Sequence, residues 1–207
     1  MIFSRSLTEE ESVNAVNRYV QLNKQNEICK FCLQICLGEY VDVQRPELKV
    51  YTDKWFEFAV HRSVKELNLA FYPKPYLEEE ELKLPGFLFS YDSPMTHFTL
   101  GYFDFSPPAG FTGFGSLVSL YLRWVNIADD TLESIVLNCP VLSDLYLWEC
   151  SLSSIKILSP KDFQLKRLLV AFVCAPKIDI MAPNLKSFHF SGFNLPSRCS
   201  FQNIHML

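Results

Sequence analysis

One short phrase recurs along this 207-residue chain: apolar-x-x-apolar-x-apolar. It occurs at Ile28–Phe31–Leu33, Val64–Leu67–Leu69, Met95–Phe98–Leu100, Leu117–Leu120–Leu122, Leu142–Leu145–Leu147, Leu165–Leu168–Val170 and Leu185–Phe188–Phe190. The copies begin at 28, 64, 95, 117, 142, 165 and 185, so they lie 36, 31, 22, 25, 23 and 20 residues apart. A unit of that size cannot bury an apolar face alone, so successive units must stack. Residues two apart on a strand share a face. Leu120 and Leu122 are therefore expected in a common core, with Ser119, Tyr121 and Arg123 facing outward.

The last four spacings fall within the leucine-rich-repeat period; the first two are longer, so those units carry insertions or are anchored on the wrong phrase. Leu142-x-x-Leu145-x-Leu147-x-x-Cys150-x-Leu152 fills every fixed position of that repeat, including the Asn/Cys site. The copy at Leu117 keeps the last apolar site, Ile127, but has Val125 at the Asn/Cys position. The expected fold is α/β: a right-handed βα leucine-rich-repeat solenoid, a ribonuclease-inhibitor-like horseshoe with a parallel concave sheet.

One return segment is legible. Asp129 and Asp130 precede Thr131-Leu132-Glu133, which resembles a capping box, and Leu132, Ile135 and Val136 form one helical face ended by Pro140. Near the N-terminus, Thr8-x-x-Glu11 followed by Val13, Val16 and Val20 predicts a helix over 8–22 that covers the first repeat. A second helix is expected from near Asp53, with Trp55, Phe56, Ala59 and Val60 buried. The expected division is a helical capping segment at 1–27 and a repeat solenoid at 28–207. The last residues, Phe201 to Leu207, show no polar capping repeat, so a solenoid truncated at its C-terminus is expected.

Composition narrows the class. Aromatic residues make up 14% and glycines number only 7, a mixture suited to a packed interior rather than disorder. The net charge of −4 gives no reason to expect a nucleic-acid partner. No apolar run reaches the length of a membrane span, so no membrane association is expected. Seven cysteines without an apolar leader favour free thiols and a cytoplasmic or nuclear location.

Three phrases resemble the plant F-box/LRR proteins, including those with an FBD region. They are Trp55 to Leu69, Leu132 to Leu142, and Ala182-Pro183-Asn184-Leu185-Lys186-Ser187-Phe188. The resemblance spans roughly residue 10 to the C-terminus. In that family the F-box binds a Skp-type adaptor of a cullin ubiquitin ligase and the repeats hold the substrate. Residues 1–27 lack the Leu-Pro-rich opening and the length of an F-box, so neither an F-box ahead of the repeats nor an FBD region after them is expected. The resemblance thus implies a substrate-recognition half and gives no basis for adaptor binding by these residues.

The outward strand positions define three rows. One reads Glu66, His97, Ser119, Asp144, Arg167, Ser187; the next Asn68, Thr99, Tyr121, Tyr146, Leu169, His189; the third Ala70, Gly101, Arg123, Trp148, Ala171, Ser191. Tyr121, Arg123, Tyr146 and Trp148 are expected to form one patch, with Asp144, Arg167 and His189 beside it. These residue types dominate binding hot spots because they bury large areas while keeping a polar handle.

Other motifs lead nowhere specific. Cys29-x-x-Cys32-x-x-x-Cys36 lacks the second ligand pair that zinc needs, so no metal is expected. Gly110-x-x-Gly113-x-Gly115 runs into a strand rather than a helix, which favours a turn over a phosphate loop. Glu78 to Glu81 suits a solvated loop. His61, His97, His189 and His205 show no paired spacing, and no nucleophile elbow occurs. The expectation is therefore a non-enzymatic, cofactor-free module that binds an unidentified protein substrate. The alternative is a structural or degenerate repeat remnant with no specific partner.

Overall fold

The computed structural model describes residues 9–23, 27–36, 46–72, 81–89, 93–108, 110–111, 114–158, 163–174, 177–192 and 198–202. Its elements run in the order α1 (Glu9–Leu22), β1 (Lys30–Cys36), α2 (Pro46–His61), β2 (Glu66–Tyr72), β3 (Leu82–Lys83) and a 3-10 turn (Gly86–Phe89). They continue as β4 (His97–Gly101), β5 (Phe103–Phe105), β6 (Ser119–Arg123), β7 (Asn126–Ile127), α3 (Asp129–Asn138) and β8 (Asp144–Trp148). The chain closes with β9 (Ile155–Leu158), β10 (Arg167–Ala171), β11 (Lys177–Met181), β12 (Ser187–Ser191) and β13 (Arg198–Gln202).

Every recurring phrase delivers one strand of a seven-stranded parallel sheet, ordered β1-β2-β4-β6-β8-β10-β12. Registers match the three rows without a gap: His97 faces Ser119, Ser119 faces Asp144, Asp144 faces Arg167 and Arg167 faces Ser187. The alternation is the physical cause. Leu120, Leu122, Leu145 and Leu147 are fully buried, whereas Tyr121, Arg123, Tyr146 and Trp148 stay partly exposed on the open face. This is a leucine-rich-repeat solenoid of α/β class.

Backbone polarity is satisfied between coils. At the start of each strand two successive N–H groups donate to one carbonyl of the preceding coil: Val118 and Ser119 to Thr96, Ser143 and Asp144 to Val118, Lys166 and Arg167 to Ser143. At the strand exits, Tyr102, Trp124, Glu149 and Phe172 adopt positive φ of 68°, 50°, 50° and 56°. Their N–H groups reach the last strand carbonyl of the next coil, at Arg123, Trp148, Ala171 and Ser191. These four repeats thus leave their strands through a left-handed corner held by the next one.

The return side differs from the expected strand–helix alternation. Its described residues carry mostly short parallel strands, β3-β5-β7 and β9-β11-β13, with α3 between the two groups. Helix α3 forms where its apolar stripe Leu132, Ile135 and Val136 can be buried. Its expected capping box is absent. The N-cap is Ala128 with no side-chain cap bond, and Asp129 instead accepts hydrogen bonds from Ser153 and Ser154. Helix α2 begins at Pro46, earlier than the Asp53 suggested by its aromatic stripe. Proline suits that position because the first turn of a helix needs no N–H from it.

The interior is aromatic at the N-terminal end and aliphatic beyond it. Trp55 stacks on Phe71 at 6.4 Å, Phe71 meets Phe103 at 5.7 Å, and Phe103 meets Phe56 at 5.6 Å. The first coils are the long ones, and a longer coil encloses a wider section that only large rings fill at native density. Helix α1 packs on α2 and on β1, burying Val13 and Val16, while Trp55 Nε1 donates to Asn17 at 2.9 Å. Thr8, Gly113 and Glu78 to Glu80 lie outside the described residues, as do Asn203 to Leu207.

Candidate functional site

The open face of the seven-stranded sheet gathers the expected patch. Tyr121 on β6 and Tyr146 on β8 are register partners, and their rings meet edge to face, 5.8 Å apart at 75°. Burial raises the Tyr121 pKa above its usual value, only partly opposed by the nearby Arg123 charge. The Tyr121 phenol therefore stays neutral at physiological pH, suited to hydrogen bonding beside an apolar ring.

Two residues along the same strands, Arg123 faces Trp148. The guanidinium carbon lies 4.0 Å from the Trp124 ring centroid, 5.4 Å from Tyr72 and 5.5 Å from Trp148. Tyr72 and Trp124 are themselves perpendicular at 5.7 Å, and Trp148 lies 5.0 Å from Phe172. Trp148 Nε1 donates to Glu149 at 2.7 Å. The result is an aromatic rim at the C-terminal ends of the strands, with one cation held among its rings.

Sequence reasoning missed Tyr72, Trp124 and Phe172 as members of this rim. Trp124 and Phe172 occupy the left-handed corners, one residue past the last outward strand position. A period-2 reading stops at the strand end and does not follow the chain around that corner. A usable signal existed: the corner residue is aromatic in three of the four described coils that share it, Tyr102, Trp124 and Phe172.

The remaining expected residues behave differently. Asp144 is buried, at 5% exposure, and both of its carboxylate oxygens take hydrogen bonds from Arg167. Hydrogen bonding and charge from Asp144 push the Arg167 pKa up. This pair straps β8 to β10, so Asp144 is not presented as a free contact. His189 is exposed on β12, two strands beyond Tyr146 in the same row. Cys32 and Cys36 lie on the open face of β1, opposite Asn68 and Tyr72. On the return side, a shallow recess lined by Ser106, Asn126, Asp129, Asp130 and Ser153 surrounds the start of α3, but its Asp129 is already committed to Ser153 and Ser154.

A family model described as "At1g61320/AtMIF1, LRR domain" matches residues 21–206. The chain belongs to the At1g61320/AtMIF1 LRR-domain family. Among curated relatives, it is similar to the F-box/LRR-repeat protein At3g03360 of Arabidopsis thaliana, 26% identical over 189 residues, which is 87% of this chain and 35% of the relative. It is also similar to the F-box/FBD/LRR-repeat protein At1g13570 of the same plant, 34% identical over 128 residues, 62% of this chain and 27% of the relative. The chain spans about a third or less of the length of these two proteins. No solved structure matches it. Membership in this LRR-domain family makes the chain an F-box/LRR-like repeat domain, a scaffold consistent with protein interaction. Among the described residues, no helix is long and apolar enough to cross a membrane.

Proposed function

We infer that this domain is a non-catalytic protein-binding module whose contact surface is the open face around Tyr121, Arg123, Tyr146 and Trp148. It resembles the substrate-recognition part of an F-box ubiquitin-ligase receptor. One observation carries the reading: four large polar-tipped side chains on two adjacent strands converge on the face that the solenoid leaves uncovered. Such a cluster costs solvation when open to water and gains when a partner covers it. Arg167 and His189 flank the contact, and Asp144 acts by holding Arg167. The packing of α1 on β1 supports reading residues 1–27 as the cap of a solenoid at 28–207. The relatives named as F-box/LRR-repeat proteins support a protein substrate, and the place of action in this reading is the cytoplasm or nucleus.

The test is quantitative capture from plant extract by the immobilised chain. Tyr121→Ala and Trp148→Ala are expected to lower recovery of the same set of proteins by about 10-fold or more, as hot-spot truncations do. Lys156→Ala, on the return side, leaves recovery unchanged. Circular dichroism confirms that all variants fold. Equal recovery by wild type and both aromatic variants overturns the reading and favours a repeat remnant without a specific partner.

A further inference from the structure

Charge on the open face is nearly cancelled within the chain. The seven strands carry three Lys or Arg residues: Lys30, Arg123 and Arg167. Lys30 pairs with Glu66 at 2.7 Å, and Arg167 pairs with Asp144 through both oxygens. Arg123 has no carboxylate partner among the described residues. Its guanidinium lies against the rings of Trp124, Tyr72 and Trp148, with the Tyr72 hydroxyl in hydrogen-bonding reach, and its Nε is buried without any hydrogen-bond partner.

The floor beside it is kept low. Arg123 faces Gly101 across the sheet, and Gly101 faces Ala70. A Cβ at Gly101 would stand 2.9 Å from the Ala70 Cβ, closer than real side chains come. With no side chain on β4 at that point, the guanidinium can lie across the strand toward Tyr72 on β2.

We propose that Arg123 receives a carboxylate from an acidic peptide segment of a partner protein, an Asp or Glu whose neighbouring apolar side chain rests on the Tyr121–Tyr146 pair. This rests on the binding surface proposed above and names its partner chemistry. Rings that shield the planes of a guanidinium, and a buried Nε, leave its Nη end as the route for an acceptor, and a carboxylate matches that end with two parallel hydrogen bonds. A single unneutralised cation complements one negative charge. Glu149, fixed beside Trp148 by its bond to the indole N–H, opposes a second negative charge, which selects a carboxylate over a phosphate dianion.

The probe is a labelled degenerate heptapeptide pool with Glu at its centre, flanked by Leu or Phe, titrated with the full chain and read by fluorescence anisotropy. Matched pools carry Gln, Lys or phosphoserine at the centre. The Glu pool is expected to bind at least about 10-fold more tightly than the Gln pool, and to lose about 10-fold with Arg123→Gln or Arg123→Lys. The Glu–Gln contrast on wild type needs no variant, so it holds even if a substitution perturbs folding. Equal binding of the Glu and Gln pools, tighter binding of the phosphoserine pool, unchanged affinity in both Arg123 variants, or no binding by any pool overturns the proposal. Glu and Gln pools that bind equally, and are both lost with Tyr121→Ala, overturn the carboxylate alone and leave the binding surface standing.

Discussion

Glu149 and Cys150 show how much a single position must satisfy. Cys150 fills the Asn/Cys site, and its thiol donates to the Leu122 and Trp148 carbonyls at 3.5 and 3.7 Å. Burial pushes its pKa up to about 12, so it stays a neutral donor. That role was legible, because the repeat signature carries the reason for the residue. The left-handed corner one residue earlier was not, since Glu149 is not a glycine and nothing in the signature demands positive φ there. Its backbone strain is measurable. Glu149→Gly and Glu149→Ala both remove the bond to Trp148, so their difference isolates the corner. Glycine is expected to be the more stable by about 1 kcal/mol in urea unfolding, because a Cβ crowds the left-handed region. Equal midpoints would refute a strained corner. The Asp144–Arg167 pair could have been anticipated, because the inferred rows already set those residues side by side.

At the scale of the element, strands were easier to read than helix ends. A strand here needs only alternating apolar residues, and each phrase supplied them. A helix start depends on which distant group claims the capping side chain. Asp129 has the residue type for a cap, but the cap position falls on Ala128, and Ser153 and Ser154 on the next coil donate to the Asp129 carboxylate instead. Burial raises the Asp129 pKa, but the bonds from these serines outweigh it, and the net shift is downward from 3.8. A depressed folded pKa means the contribution is complete at neutral pH and fades as pH falls from near 4 through the folded value. Asp129→Asn is expected to cost about 1 kcal/mol at pH 7, toward the low end for charged hydrogen bonds because the group is partly exposed. That gap narrows steadily as pH falls below about 4. A gap that stays constant as pH falls below about 4 would argue against the carboxylate as the source.

For the whole molecule, stability passes from coil to coil, because the sheet strands pair only with those of adjacent coils. The interior strands bury their inward side chains fully, but Phe188 and Phe190 on β12 are only half-buried. Hydrogen exchange should therefore show slow amides on β6 and β8 and faster ones on β12, with a gradient rather than one uniform rate. Uniform protection across all seven strands would contradict this. Repeat architecture and open-face rows were legible because the phrase recurs in phase with the strand. On the return side only the helices with an apolar stripe, α2 and α3, were legible; the short strands were not, since their segments differ in length and share no phrase.

The paired N–H bonds at each strand start fix where one coil meets the next, even though neighbouring copies of the phrase lie from 20 to 36 residues apart. Any residue gained or lost between strands must then be absorbed behind the sheet, as slack in a loop. Lengthening a coil leaves the spatial alphabet of the front face unchanged, and a substitution in front leaves the frame unchanged. Two kinds of variation are thereby decoupled: one resizes the coil, the other rewrites what the domain can recognise.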